Sequence, residues 1–394
     1  MKYNFDLETE RRATGSLKWD VLPSELPMWV ADMDFETAPA VKRAIVEIAE
    51  RGIYGYSITD DGLFESASDF FYERTGYRHA PSDMIYSSGV VAAISSMVRK
   101  LTTPAEKVLI MAPVYNIFYN SILNNGRVAV SSDLLYEDGK YAIDFYDLEK
   151  KLSDPQTTLM ILCNPHNPVG RIWTKEELSE VGRLCKSHGV TVISDEIHSS
   201  VLTPGKKYVP FASASEVCAD ISLTCISASK AFNLAGLQSA IVVAKNPILR
   251  HKAWRGINTD EVGEPNAFAV AASTAAYREG GEWLDALNKY IYENKLYCYD
   301  FIEKNIPAIR ALQSDATYLL WVDVSSLGID SPRFCAELRE ATGLYVSDGE
   351  EYGECARYFI RINLATQRSR VADGMNRLRK YVDLIIGGSE KCRP

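Results

Sequence analysis

The chain lacks several things, and each absence closes a class of function. No apolar run in its 394 residues approaches the roughly 18 that a bilayer span requires. Residues 1–6 contain no apolar core of a secretory signal, so a cytoplasmic protein is expected, without membrane contact. Positive charge is in deficit: 43 Lys and Arg against 52 Asp and Glu leave a formal charge of −9, which offers no general cationic field to nucleic acid. The eight cysteines (Cys163, Cys185, Cys218, Cys225, Cys298, Cys335, Cys355 and Cys392) form no CxxC pair and have no histidine at ligand spacing. That argues against a metal site or disulfide frame and for buried thiols. Internal repeats and low-complexity linkers are also missing.

What is present reads as an α/β protein. The length exceeds what one growing core accommodates, so a large and a smaller domain are expected. A hydrophobic fraction of 46% with 24% charged residues is that of an ordinary globular chain. Short β-branched runs at 107–111, 159–163, 190–194, 223–227 and 240–244 predict buried strands. Residues 175–187 have helical periodicity behind Thr174 as N-cap. Strands alternating with helices predict a largely parallel sheet, whose ligands bind outside the carboxyl ends of the strands. From about residue 285 the pattern changes to a long helix, 283–304, and a strand, 318–324. The expected division is 1–45 as a segment joining the smaller domain, 46–285 as the large domain and 286–394 as the smaller one. The tail 387–394 is expected to fray.

The chemistry concentrates at strand ends. Lys230 follows Ser227-Ala228-Ser229 after an apolar run; partly desolvated, such a lysine has a lowered pKa and can form a Schiff base with an aldehyde, while a solvated surface lysine is the competing reading. The two serine hydroxyls suit a phosphate. Asp195 ends another apolar run and can keep a pyridine nitrogen protonated, or simply cap a helix. His198 stands three residues on. Asn164-Pro165-His166-Asn167-Pro168-Val169-Gly170 is a stiff turn able to aim the Asn167 amide at a bound oxygen, or a purely structural turn. Gly89, Val90 and Val91 open the helical pattern 92–101, where free amides make an anion site. Tyr115 can stack on a planar cofactor or pack. Arg361 offers the fork that matches a carboxylate, with Asn363 two residues later, against an ordinary surface ion pair.

Taken together, Tyr115, the NPxNPxG loop, Asp195, the SxSK box and the late Arg361-Ile-Asn363 resemble, in order and spacing, the fold-type I pyridoxal-phosphate enzymes of the aspartate aminotransferase-like superfamily. Residues 29–35 (WVADMDF), Tyr54-Gly55-Tyr56, residues 194–198 (SDEIH) and 230–236 (KAFNLAG) resemble the MalY/PatB-type carbon–sulfur lyases, the cystathionine β-lyases. The resemblance implies a large domain with a mostly parallel seven-stranded sheet flanked by helices, a smaller α+β domain from both termini, and a homodimer sharing its active sites. It implies pyridoxal 5'-phosphate joined to Lys230, Asp195 on the ring nitrogen, Asn167 on the phenolic oxygen with His198 nearby, and Tyr115 on the ring. The phosphate is expected on the amides of Gly89, Val90 and Val91, with Ser227, Ser229 and a Tyr56 from the partner. Arg361, Asn363 and the backbone at Ala31 are expected to hold the carboxylate of an amino-acid substrate. One departure stands out: many aminotransferases carry an arginine eight residues after the lysine, where this chain has Gln238. The implied reaction is β-elimination from cystathionine or cysteine, as in methionine biosynthesis, to a thiol, pyruvate and ammonia. An aminotransferase, and a regulatory protein keeping the fold, are the alternatives.

Overall fold

The structure, a computed structural model, describes residues 3–391. Its centre is a seven-stranded sheet of β1 (Met84–Ser87), β2 (Lys107–Ile110), β3 (Val128–Ser131), β4 (Thr157–Cys163), β5 (Thr191–Asp195), β6 (Ser222–Ile226) and β7 (Ala240–Val243), in the order β1-β7-β6-β5-β4-β2-β3. The pairs from β3 across to β6 are parallel, whereas β7 runs antiparallel to both of its neighbours.

The central strands are buried on both faces, which is why they read as unbroken apolar runs. In β4, Leu159, Ile161 and Cys163 pack with the helix α1 (Val90–Leu101), while Met160 and Leu162 turn to the core shared with α2 (Lys175–Ser187). The predicted cap of α2 is a full capping box: Thr174 accepts from the Glu177 amide, and the Glu177 carboxylate accepts from the Thr174 amide. Such a box stabilises a helix start by about 1 kcal/mol. Two strands that the sequence reading passed over, β1 and β3, form the two edges of the sheet.

The long helix α3 (Gly281–Asn305) leads to a second, antiparallel sheet of β8 (Arg310–Ala311), β9 (Leu319–Asp323), β10 (Ser347–Asp348) and β11 (Phe359–Asn363), in the order β8-β9-β11-β10. The helices α4 (Ser331–Thr342) and α5 (Arg368–Lys391) pack with it around Leu320, Val322, Ile360, Ile362, Phe334 and Met375. Leu26–Pro27 pairs in parallel with Leu344–Tyr345, and Trp19, Leu26 and Met28 join this same core. Phe5, Met33 and Phe35, by contrast, belong to the core beside the large sheet.

Two expectations are corrected. The stretch expected to fray from Gly387 is helical as far as Lys391, where α5 ends; residues 392–394, Cys392 among them, lie outside the described residues. Not all thiols are buried either: Cys355 is exposed and Cys335 half-buried, since both lie on the outer side of the second sheet's connections. No described helix is long and apolar enough to cross a membrane.

Candidate active site

A cavity of about 460 Å³ opens at the carboxyl ends of β4, β5 and β6 and against the start of α1. Each wall follows from the local sequence. The chain leaves β5 at Asp195 and turns through Ile197 and His198; it leaves β6 into Ser229 and Lys230; it leaves β4 into the loop that carries Asn167. Gly89 caps α1 with φ at 124°, a backbone conformation that only glycine adopts readily, and a side chain there would project into open space. No side chain caps this helix. The first-turn amides therefore face the cavity with the positive end of the helix dipole behind them.

The electrostatics of the cavity are unusual for a folded interior. Burial pushes the Asp195 carboxyl up to about 7, against the Ile197 amide, which donates to it at 3.2 Å, and the charge of Lys230. Burial, then the nearby Arg361 guanidinium, brings the Lys230 amine down to about 8. His198 is held down at about 3 by burial, then by Lys230 and Arg361, and its Nδ1 is buried with no partner among the described residues. The Tyr115 hydroxyl, also lining the cavity, is pushed up to about 12 by burial and by Asp195. Lys230 Nζ donates to the Ala31 carbonyl at 2.6 Å.

Arg361, in β11, lies beneath this wall. Its Nη1 donates to Asn167 Oδ1 at 3.3 Å and its Nη2 to the Trp29 carbonyl at 3.0 Å, while Nε is buried without a partner. A guanidinium with an unspent N–H and no carboxylate within bonding distance among the described residues is equipped to receive one.

The structure thus brings Gly89, Val90, Val91, Tyr115, Asn167, Asp195, His198, Ser229, Lys230 and Ala31 to one cavity. Four of the predicted residues stand outside the lining, and of these Arg361 reaches it through its bond to Asn167. Ser227 does not line it: its hydroxyl donates to the Ser239 carbonyl at 2.6 Å and accepts from the Ser229 amide, so it shapes the turn instead. Asn363 spends both amide N–H groups on the carbonyls of Val30 and Asp32, each at 2.6 Å, and its oxygen accepts from the Ala365 amide, so it positions Ala31 and keeps no N–H for a carboxylate. Tyr56 is fully exposed, at 101%, in an extended stretch away from its own chain's cavity. The structure adds Cys163, Ser88, Ser95, Ile197, Gln238 and Ser239 to the lining. Of these, Ser95 had a signal, since 91, 92 and 95 share one helical face; Ser239 had none, because it arrives across the β6–β7 pair.

A group with an aldehyde, a basic ring nitrogen and a phosphate fits these residues. The amine is half-buried, the desolvated carboxyl has no cation within bonding distance among the described residues, the helix amides are uncapped, and the His198 nitrogen is unpartnered. Gln238 also faces the cavity in a left-handed conformation (φ 50°) and brings no charge, so any phosphate relies on amides and hydroxyls.

Fold and cavity define a class, and comparison with known proteins agrees: residues 26–378 match the model of the aminotransferase class I and II family, to which this chain belongs. Among individual proteins, the chain is similar to the cystathionine beta-lyase PatB of Bacillus subtilis, 41% identical over 95% of this chain and 99% of that protein. Protein MalY of Escherichia coli is 31% identical over 95% of this chain and 97% of its own length. Of solved structures, the pyridoxal-phosphate-bound carbon–sulfur lyase of Staphylococcus hominis superposes with a TM-score of 0.91 at 35% identity, over 96% of this chain and 98% of that one. Cystalysin of Treponema denticola, with its pyridoxal 5'-phosphate, gives 0.94 at 31% identity, over 98% and 100%.

Proposed function

We propose that this chain is a pyridoxal-phosphate-dependent carbon–sulfur β-lyase, acting on L-cystathionine and related sulfur amino acids such as L-cysteine to give a thiol, pyruvate and ammonia. The observation that carries it is the meeting, in one cavity, of the half-buried Lys230 amine with the desolvated Asp195 carboxyl at an uncapped helix start. The similarity to PatB over nearly the whole chain favours elimination over amino transfer.

Pyridoxal phosphate, when bound, supplies a ring that takes up the electron pair left on the substrate Cα. The amides at Gly89, Val90 and Val91, with Ser229, would hold its phosphate; Asp195 would keep the ring nitrogen protonated; Asn167 and His198 would meet the phenolic oxygen; and Tyr115 would pack on the ring. Arg361 binds the substrate carboxylate beside Ala31. Lys230 takes the α-proton at Nζ, which its lowered pKa near 8 permits at neutral to mildly basic pH. The sulfur then leaves Cβ with the C–S electron pair and is protonated to the thiol. Hydrolysis of the remaining three-carbon unit yields pyruvate and ammonia. Tyr56, exposed here with Ile53 and Ile58, enters the cavity of a second copy, so the working form is a homodimer, in the cytoplasm. Residues 46–285 make the cofactor-binding unit, with 286–394 and the stretch from Trp19 to Met28 forming the smaller one, while Phe5, Met33 and Phe35 pack against the larger.

The test is purified protein with L-cystathionine and no added keto acid, following pyruvate and free thiol, with Lys230→Ala beside it. Equal amounts of the two products, lost in the variant, are expected. Turnover that appears only when a keto acid is supplied would overturn the lyase reading in favour of an aminotransferase.

A further inference from the structure

The Lys230 amine does not point idly into the cavity. It donates to the Ala31 carbonyl oxygen at 2.6 Å, and the hydroxyl of Tyr318 donates to the same oxygen at 2.9 Å. Tyr318 is fully buried and immediately precedes β9, with His198 edge-on to its ring. That oxygen is held in place from both sides. Asn363 clamps the flanking carbonyls of Val30 and Asp32, and the Asn233 side chain accepts from the Met33 amide and donates to the carbonyls of Met33 and Phe35. Asn233 is only three residues from Lys230, so the loop carrying the acceptor and the loop carrying the amine are tied to each other.

We infer that the Ala31 carbonyl is the docking point of the Lys230 amine whenever that amine is not joined to the cofactor, and that Tyr318 is a positioning residue which limits how tightly the amine's proton is held there. The inference rests on Lys230 being the cofactor lysine, and it concerns a step common to elimination and amino transfer. A lysine that removes a proton must be released to a defined place and must also give the proton up again. A lone buried carbonyl would hold an ammonium too firmly, because a hydrogen bond to the charged form raises its pKa. A second donor on the same oxygen draws on the same lone-pair density and weakens that hold.

Other charged and titratable groups face the amine from every side. Asp32 on the acceptor loop and Asp195 on β5 favour its protonation, and Arg361 on β11 opposes it. His198, Tyr115 and Tyr318 are neutral around it, the first because burial holds its pKa near 3. Replacing Tyr318 by Phe changes none of these charges, keeps the ring, and removes only the competing donor.

The experiment uses the full-length chain freed of cofactor, so that activity plays no part. The pH midpoint of the Lys230 amine is read from its rate of reaction with trinitrobenzenesulfonate, with Lys230→Ala identifying the signal. The wild-type midpoint is expected near 8. In Tyr318→Phe it should rise by about half a pH unit, which corresponds to about 0.7 kcal/mol, the size of one modest hydrogen bond between neutral groups. An unchanged or lower midpoint in folded Tyr318→Phe overturns the role of Tyr318. In case that variant does not fold, the wild-type chain carries a second reading: the carbonyl carbon-13 signal of Ala31 should titrate with the same midpoint as the amine and stay flat in Lys230→Ala. A flat signal in the wild type overturns the docking point itself. Failure of either leaves the lyase assay untouched, and a failed lyase assay leaves both readings interpretable.

Discussion

Two regions of this molecule bury charge, and they treat it in opposite ways. In the N-terminal segment, Asp34 is almost wholly enclosed and fully matched: Lys18 bonds it at 3.0 Å, Arg11 at 2.8 Å, and the Trp19 indole N–H donates at 2.6 Å. Burial works to raise its pKa, but Lys18, Trp19 and Thr366 outweigh burial and hold the carboxyl below the usual range. In the cavity, Asp195 is as deeply buried and has one backbone amide, so its pKa goes up instead. The same chain therefore can pair a buried carboxylate and, at the cavity, does not. The unmatched groups are complementary to something the protein binds, and that contrast locates the site independently of any motif.

The comparison can be broken by making one substitution in both places. Asp34→Asn strands Lys18 and Arg11 beside a neutral amide and should cost about 3–5 kcal/mol of stability, read as a lowered denaturation midpoint. A loss under about 1 kcal/mol would mean that the network is not what fixes the segment. Arg361→Lys replaces the fork by a point charge, and kcat/KM for cystathionine should fall by roughly 10–100-fold, mostly through KM. Equal kcat/KM would remove Arg361 from substrate binding.

Asp195→Asn should act with the opposite sign to Asp34→Asn. In the cofactor-free protein at pH 8 it should raise stability by about 1–2 kcal/mol, because it removes a buried charge with little to offset it. The pH dependence follows from the shifts. Asp195, raised in the fold, binds more protons folded than unfolded between about pH 4 and 7, so its contribution to stability falls as pH rises through that window. Asp34, depressed in the fold, contributes stability above about pH 4 that is lost as pH falls through its lower folded value. Thermal melts of the two variants from pH 4 to 8 should therefore diverge, with the Asp195→Asn advantage vanishing near pH 4. The smallest effect is at Ser227→Ala, about 1 kcal/mol of stability for the lost bond to Ser239, with little change in pyridoxal phosphate affinity. A fall in affinity without a fall in stability would put that hydroxyl on the phosphate after all.

The contrast also explains what the sequence could disclose. β4, β5 and β6 were legible because strands buried on both faces need continuous apolar runs, and α2 because its cap is written in Thr174 and Glu177. β1 and β3 were not, since an edge strand has a single neighbour and half-exposed positions such as Val128 to Ser131 dilute its pattern. Lys230 and Asp195 stood out because each follows or ends an apolar run with a polar group, and Asn167 because two Asn-Pro steps stiffen the turn that carries it. Ser227 and Asn363 stood out equally, yet the structure spends their hydrogen bonds on backbone groups, because spacing shows that a side chain is near a site and not which way its hydrogen bonds are spent. Ser239, which lines the cavity, and Tyr318, which bonds the Ala31 carbonyl behind it, gave no signal, since both act through tertiary contacts alone.

The bonds from Asn363 to the loop at Ala31 span 333 and 331 residues of chain. The wall of the cavity facing Lys230 is thus held from two distant parts of the chain, by Asn363 on the second sheet and by Asn233 beside the amine. A chain cut before β11 would lose Arg361 and the Asn363 clamp together and keep only the Asn233 tie.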